Sequence, residues 1–395
     1  EYYYRFMAGD AGSPVGRTKT APARDAAVDR FAFAYASCQN WEAGYYPAYR
    51  HMAQDDLDLV IHLGDYIYES GPRPTAVRFH TGNEIYTLDD YRNRHALYKT
   101  DPDLQAAHGA FPWLFTWDDH EVDNNWASDL DQDGSTPVDF LPRRTVGFQA
   151  YYEHLPLRPE HAPRGDDLLL YRRFTFGNLA AFNVLDTRQY RSNQACDDGF
   201  KVPCAETLEE ERTMTGPDQE RWLLDGLDAS TATWNVIAQQ TIMASFDYDP
   251  TDAELFNHDQ WDGYPAARNR ILGHIMQTRP ANPVVITGDW HSSWVNDLKA
   301  DFRDVESETL ATEFVGTSIS SGYPGDIQQA EKALAANPHV KFFNGDLRGY
   351  VRATLTPDQW QADYQLLDSV RTRDAPIQTR ASFIVETGRP GAERL

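Results

Sequence analysis

The chain has 395 residues, 41% of them hydrophobic and 13% aromatic, with 10 Trp and 21 Tyr, a content that excludes a disordered tail and supplies one large core or two smaller ones. The formal net charge of −24 disfavours nucleic acid, whose phosphate backbone it would repel. Such acidity fits either an exported protein kept soluble in salt or carboxylates that hold cations, and no stretch reaches the roughly 20 apolar residues of a membrane span.

The chain begins at Glu1 and not at Met, as expected of a processed product. Residues 1 to 25 pattern as a short aromatic strand, EYYYRF, followed by a Gly/Pro/Ala connector. FAFAYASC (31 to 38) alternates and then meets polar QN, the mark of a buried strand that delivers Cys38 to its carboxyl end. A helix is expected through Met52, and LDLVIHLGDYIYE (57 to 69) is a second apolar strand stopping at Gly64-Asp65. This strand, helix, strand unit opens a parallel or mixed sheet.

Residues 89 to 107 pattern as polar helix, and FPWLFTW (111 to 117) as a strand that breaks into DDHEVDNNW. An acidic loop (127 to 140) and an amphipathic helix, Arg143 to His154, follow. Residues 168 to 186 read as a hairpin around Gly177-Asn178, ending in DTRQYR. Cys196 and Cys204 flank the polar loop DDGFKVP and are spaced for a small disulfide, which suits an oxidising compartment and leaves Cys38 as an odd thiol. Residues 216 to 227 form a helix with Pro217 at its start, and strands are expected at 234 to 241, at 282 to 294 through Gly-Asp-Trp-His, and at 312 to 321. The runs YVRATLT and ASFIVET complete a sheet near the C-terminus.

Four strand ends thus present Cys-Gln-Asn, Gly-Asp-Tyr-Ile-Tyr, Trp-Asp-Asp-His-Glu and Gly-Asp-Trp-His. Open α/β sheets bind ligands beyond the carboxyl ends of their strands, so these motifs belong to one site. Taken singly each is weak, since a Gly-Asp pair is often a turn and a free Cys is often a buried apolar residue. Together they carry polar groups too costly to bury without metal or hydrogen-bond partners. Asp65 is the natural bridging carboxylate, with the Tyr68 phenol three residues on. A phenolate and the Cys38 thiolate on one ion point to ferric iron, His291 adds an imidazole, and Asp119 and Asp289 offer oxygen to a harder cation such as calcium or manganese.

GDYIY, WDDHEVDNNW, LDTRQYR and GDWHSSW, in this order, resemble the signature of the PhoD-type alkaline phosphatases, a family that also includes a secreted metal-dependent phospholipase D. The wider calcineurin-like metallophosphoesterases are similar in GDxxY and in a GNHE block that stands here as Asp118-Asp119-His120-Glu121. The resemblance implies a metallophosphatase-type α/β sandwich of two mixed sheets flanked by helices, with an iron plus calcium centre. It implies iron on Cys38, Asp65, Tyr68 and His291, calcium on Asp65, Asp119 and Asp289, and a catalytic His at His120. Asn124 and Arg188 are expected to contact the second cation or the phosphate. The resemblance also makes residues 1 to 25 the last strand and linker of an N-terminal β domain, and 26 to 395 the catalytic domain.

The function expected is a secreted, monomeric phosphoesterase that hydrolyses small phosphate esters with metal-activated water. A phospholipase D-like phosphodiesterase acting on phospholipid headgroups is the alternative, and loops 69 to 88, 189 to 216 and 246 to 265 would form its rim; the last is read as a packed loop. A non-catalytic calcium-dependent extracellular binding module is the rival from another class, but it leaves the Cys-Asp-Tyr-His set unexplained. No Gly-x-Ser-x-Gly elbow and no phosphate-cradling Gly-rich loop is present, which excludes serine hydrolase and nucleotide kinase chemistry.

Overall fold

A computed structural model describes residues 1–249, 251 and 254–395. Two seven-stranded mixed sheets face each other. In the first, the order is Arg389–Arg394, Ile377–Glu386, Gln359–Leu367, Arg348–Leu355, Phe31–Ala36, Leu59–His62 and Trp113–Phe115. The last three are parallel to one another and the rest antiparallel. In the second, the order is Val340–Asn344, Ser293–Lys299, Thr309–Val315, Pro283–Thr287, Trp234–Ala238, Ala180–Val184 and Arg172–Phe176. Its four inner strands, from Thr309–Val315 to Ala180–Val184, are parallel.

The period of two in FAFAYA explains how the layers meet. Phe31, Phe33 and Tyr35 enter the core between the sheets, while Ala32, Ala34 and Ala36 face the helices on the other side. Phe33 meets Phe182 of the opposite sheet edge to face, with centroids 5.3 Å apart. Tyr49, Tyr91, Leu104 and Phe148 cover the outer face of the first sheet, and Leu223, Leu227, Ile271 and Ile275 that of the second.

Several sequence expectations shift in detail. The region 89 to 107 is two helices, Leu88–Tyr98 and Pro102–Ala110, because Asp101 caps the second through the amides of Asp103 and Leu104 and Pro102 sits at its first turn. The helix before His154 starts earlier, at Pro137. The hairpin pairs Arg172–Phe176 with Ala180–Val184, so residues 168 to 170 lie outside it. Strand Trp234–Ala238 stops before Gln239, and the expected 312 to 321 strand is Thr309–Val315. The 282 to 294 run is a strand, Pro283–Thr287, then a loop, then the start of Ser293–Lys299. Tyr2–Tyr4 pairs with Gly16–Thr18, leaving Tyr2 and Tyr3 exposed. Cys196 and Cys204 are disulfide-bonded, and Cys38 is free and buried. Among the described residues no helix is long and apolar enough to cross a membrane.

Candidate metal centre

The parallel strands of both sheets end on the same side of the sandwich, and each passes into a tightly turned loop. Cys38, Asp65, Asp289 and His291 all have left-handed backbone, with φ of 57°, 57°, 57° and 52°. Non-glycine residues adopt that region at a cost and keep it where the surroundings impose it. Here the loops are lashed together: the Cys38 amide donates to the Gly64 carbonyl (3.0 Å), that of Gln39 to Asp65 (3.0 Å) and that of Gly288 to Gln240 (2.9 Å). Two glycines are required by close approach. A Cβ on Gly64, at φ +116°, would lie 2.4 Å from the Asp118 Cβ, and one on Gly288 would lie 2.6 Å from the Ser37 hydroxyl.

These turns gather three groups of donor atoms, each group within 4.8 Å: Cys38, Asp65 and His291; Asp65, Asp119 and His120; Asp118, Asp119 and Asp289. Asp65 belongs to the first two and Asp119 to the last two, so the groups form one continuous centre. The Tyr68 hydroxyl donates to Asp65 Oδ2 (2.8 Å) and lies 3.2 Å from His291 Nε2 and 2.7 Å from the Ser321 hydroxyl. His291 Nδ1 bonds the Gly322 carbonyl (2.8 Å), a contact that fixes the tautomer and leaves Nε2 a lone pair on the side of Asp65 and Tyr68.

Burial dominates the electrostatics of the site. Burial, reinforced by nearby carboxylates and only partly offset by His120, holds Asp65 well above the usual carboxylate range. Burial likewise raises Asp118 against the pull of Arg188, and raises Asp289 to about 7. The Cys38 thiol and the Tyr68 phenol are pushed up by burial and then by Asp65. Burial pushes His291 down to about 3, which keeps it neutral. Asp119 runs the other way: burial would raise it, but Arg188, His120 and the Asn125 amide (2.7 Å) outweigh it. One oxygen each of Asp65 and Asp118 is buried with no partner among the described residues. This donor set fits metal: sulfur, phenol and imidazole around one point, carboxylates alone around the other.

His120 stacks on Tyr68 with centroids 4.1 Å apart, and its Nδ1 pairs with Glu69 Oε2 at 2.6 Å. Burial disfavours its charge, yet Glu69, Asp119 and Asp65 outweigh that and raise it well above an ordinary histidine. Glu69 is a site residue that the sequence reading passed over; its one signal is its position four after Asp65. Glu121 was also missed in this role. Its carboxylate accepts from the amides of Asp65 (3.1 Å), Tyr66 (2.5 Å) and Asp118 (2.8 Å), clamping two strand ends together.

The structure gives Arg188 and Asn124 these surroundings. Arg188 has no exposed surface: its Nε donates to Asp118 (2.5 Å) and its two terminal nitrogens to Asp259 (2.9 and 3.1 Å). It lies 3.9 Å from Asp119 and 3.6 Å from Asp289, a brace beneath the carboxylates with no face open to phosphate. Asn124 donates its side-chain amide to Gln132 (2.5 Å) and its backbone amide to Glu69 (3.2 Å), while its neighbour Asn125 donates its backbone amide to Asp119 (2.7 Å).

The model of the family described as PhoD-like phosphatase matches residues 33–364, a span holding every one of these donors. The chain belongs to that family. It is 51% identical to alkaline phosphatase D of Bacillus subtilis (strain 168) over 401 aligned residues, covering all of this chain and 69% of that protein. The solved structure of PhoD matches it with a TM-score of 0.97 at 51% identity, over the whole of this chain and 77% of that one. As a PhoD-like phosphatase it is a hydrolase of phosphate esters with candidate metal-binding clusters, and its two mixed sheets are the architecture of that structure.

Proposed function

We propose that this PhoD-like phosphatase works with ferric iron held by Cys38, Asp65, Tyr68 and His291, and calcium, or manganese in its place, held by Asp65, Asp119 and Asp289. The observation that carries this reading is a chain of shared carboxylates: Asp65 joins the group of Cys38 and His291 to that of Asp119 and His120, and Asp119 joins the latter to the all-oxygen group with Asp118 and Asp289. Such a pair of cations supplies charge neutralisation at the phosphate and lowers the pKa of water to give a nucleophile. In hydrolysis the water oxygen bonds to phosphorus, the bond to the leaving oxygen breaks with its electron pair going to that oxygen, and a proton joins it. His120 gives that proton, or a hydrogen bond to the phosphoryl group, from the ring nitrogen not engaged by Glu69. Glu69 fixes the ring, and Arg188 positions Asp118, Asp119 and Asp289 without touching substrate.

Residues 1–25 are assigned as an N-terminal extension to the catalytic domain at 26–395, and an oxidising, extracellular location is supported by the Cys196–Cys204 disulfide. Small phosphate esters are favoured over lipid because Phe246, Tyr248, Trp261 and Tyr264 of the 246 to 265 loop are buried and offer no apolar rim; residues 250, 252 and 253 of that loop lie outside the described residues. Exposed Val202 and Leu208 in the 189 to 216 loop keep a phosphodiesterase as the second reading.

The test is metal analysis of the purified protein with initial rates on a chromogenic phosphomonoester and phosphodiester, before and after chelation. Iron plus calcium, a visible charge-transfer band and chelator-sensitive hydrolysis are expected, and the ratio of rates chooses between monoester and diester. Asp65→Asn should abolish turnover with the fold intact; full activity in that variant would sink the assignment.

A further inference from the structure

A groove of about 440 Å³ lies behind the loop that carries part of the centre, and Ser320 and Gly322 form its shared wall. On the inner side of that wall the Gly322 carbonyl holds His291 and the Ser321 hydroxyl holds Tyr68. On the groove side stand Arg73, Arg348 and Arg371. None of the three has a carboxylate within ion-pair distance among the described residues, although Asp and Glu outnumber Lys and Arg 60 to 36 in this chain.

The acids that line the same groove are turned to other work. Glu42 accepts from the backbone amides of Arg73 (3.0 and 3.2 Å) and His80 (3.0 Å), and Asp368 pairs with Arg380. Among the described residues that line the groove, only Asp346 remains free to offset three guanidinium groups. Arg348 is half-buried, and one of its terminal nitrogens donates to the carbonyls of Gly345 (3.0 Å) and Leu347 (2.7 Å) while the others have no acceptor among the described residues. A desolvated guanidinium with free donors is suited to an anion, which it can bind with charge-assisted hydrogen bonds.

We infer that this groove is a subsite for a second anionic group on the leaving alcohol of the ester, so that the preferred substrates are phosphate esters whose leaving group itself carries a phosphate, phosphonate or carboxylate. The inference rests on the phosphoesterase reading of the adjoining centre. Because Tyr68 and His291 are fastened to the groove's wall, an anion seated there is held beside the centre, and its binding orients the ester.

The experiment compares the intact, metal-loaded protein on propyl phosphate and on 3-phosphonopropyl phosphate, whose phosphonate cannot be hydrolysed, with inorganic phosphate as the product measured. Wild type should favour the phosphonate-bearing ester in kcat/KM. In Arg73→Gln/Arg371→Gln, and separately in Arg348→Lys, that preference should fall about tenfold, the loss expected for about 1.4 kcal/mol of binding to the second anion. Raised salt should erode the wild-type preference in the same direction. A preference that is absent in wild type, or unchanged in both variants, overturns the subsite. Failure of wild type to hydrolyse even propyl phosphate overturns the reading of the centre, and the subsite with it.

Discussion

Arg188→Met separates a buried brace from a phosphate ligand. In the folded protein the guanidinium compensates Asp118 at 2.5 Å and Asp259 at 2.9 and 3.1 Å, with no exposure to solvent. Its removal strands those carboxylates unequally. Asp259 keeps Arg191 (2.7 Å) and Gln194 (2.9 Å), whereas Asp118 is left with one oxygen that has no partner and another that has just lost its own. Breaking a buried pair from one side costs about 3–5 kcal/mol, and the retained partners of Asp259 place this variant near the lower figure. Because Arg188 also sits 3.6 Å from Asp289 and 3.9 Å from Asp119, those two carboxylates would shift as well, and kcat/KM should fall about 10²-fold. Urea unfolding of the metal-free protein measures the first effect, and initial rates with metal resupplied the second. A stability change below about 1 kcal/mol together with a raised KM and an intact kcat would refute the brace and restore a direct phosphate contact.

Other outcomes follow from single contacts. Glu69→Gln removes the charge that orients His120 at 2.6 Å, so kcat should drop about 10²-fold with metal content unchanged; an unaltered kcat contradicts the role given to the pair. Gly64→Ala puts a Cβ 2.4 Å from the Asp118 Cβ at φ +116°, and urea unfolding should show a loss above about 2 kcal/mol, whereas a neutral substitution would mean the turn can open. Lys99 donates to the His154 carbonyl, and burial holds it down to about 8 from 10.5. Between those values the unfolded chain binds a proton that the folded chain has shed, so stability should rise as pH goes from about 8 to 10.5. Below that window both states carry the proton and the cost of the buried charge is complete. Lys99→Met should flatten the rise, and equal slopes in the two proteins would show that Lys99 is not its source.

The order of strands and their endings was legible because each depends on a local pattern. FAFAYA declares a two-sided strand by its alternation, and the polar break after it marks where Cys38 emerges. The Gly-Asp pairs announce turns because Gly64 and Gly288 leave no room for a Cβ. These short-range rules, with the resemblance of four motifs, reached Cys38, Asp65, Tyr68, Asp119, His120, Asp289 and His291, and the structure brings all seven together. What local pattern could not hold is who compensates whom. Arg188 reads in sequence as a contact to the phosphate or the second cation, yet its partner Asp259 is 71 residues away on another loop, and only the packing of the two sheets buries them as a pair. Asn124 and Asn125 are indistinguishable in the run DNNW until the backbone turns one toward Asp119 and the other toward Gln132. Glu69 and Glu121 look like ordinary surface acids until desolvation makes each of their hydrogen bonds consequential. Sequence alone determined which chemical groups exist and at which strand ends they appear; tertiary structure decided which of them face the reaction and which hold the others in place, because burial and pairing are properties of distance through space.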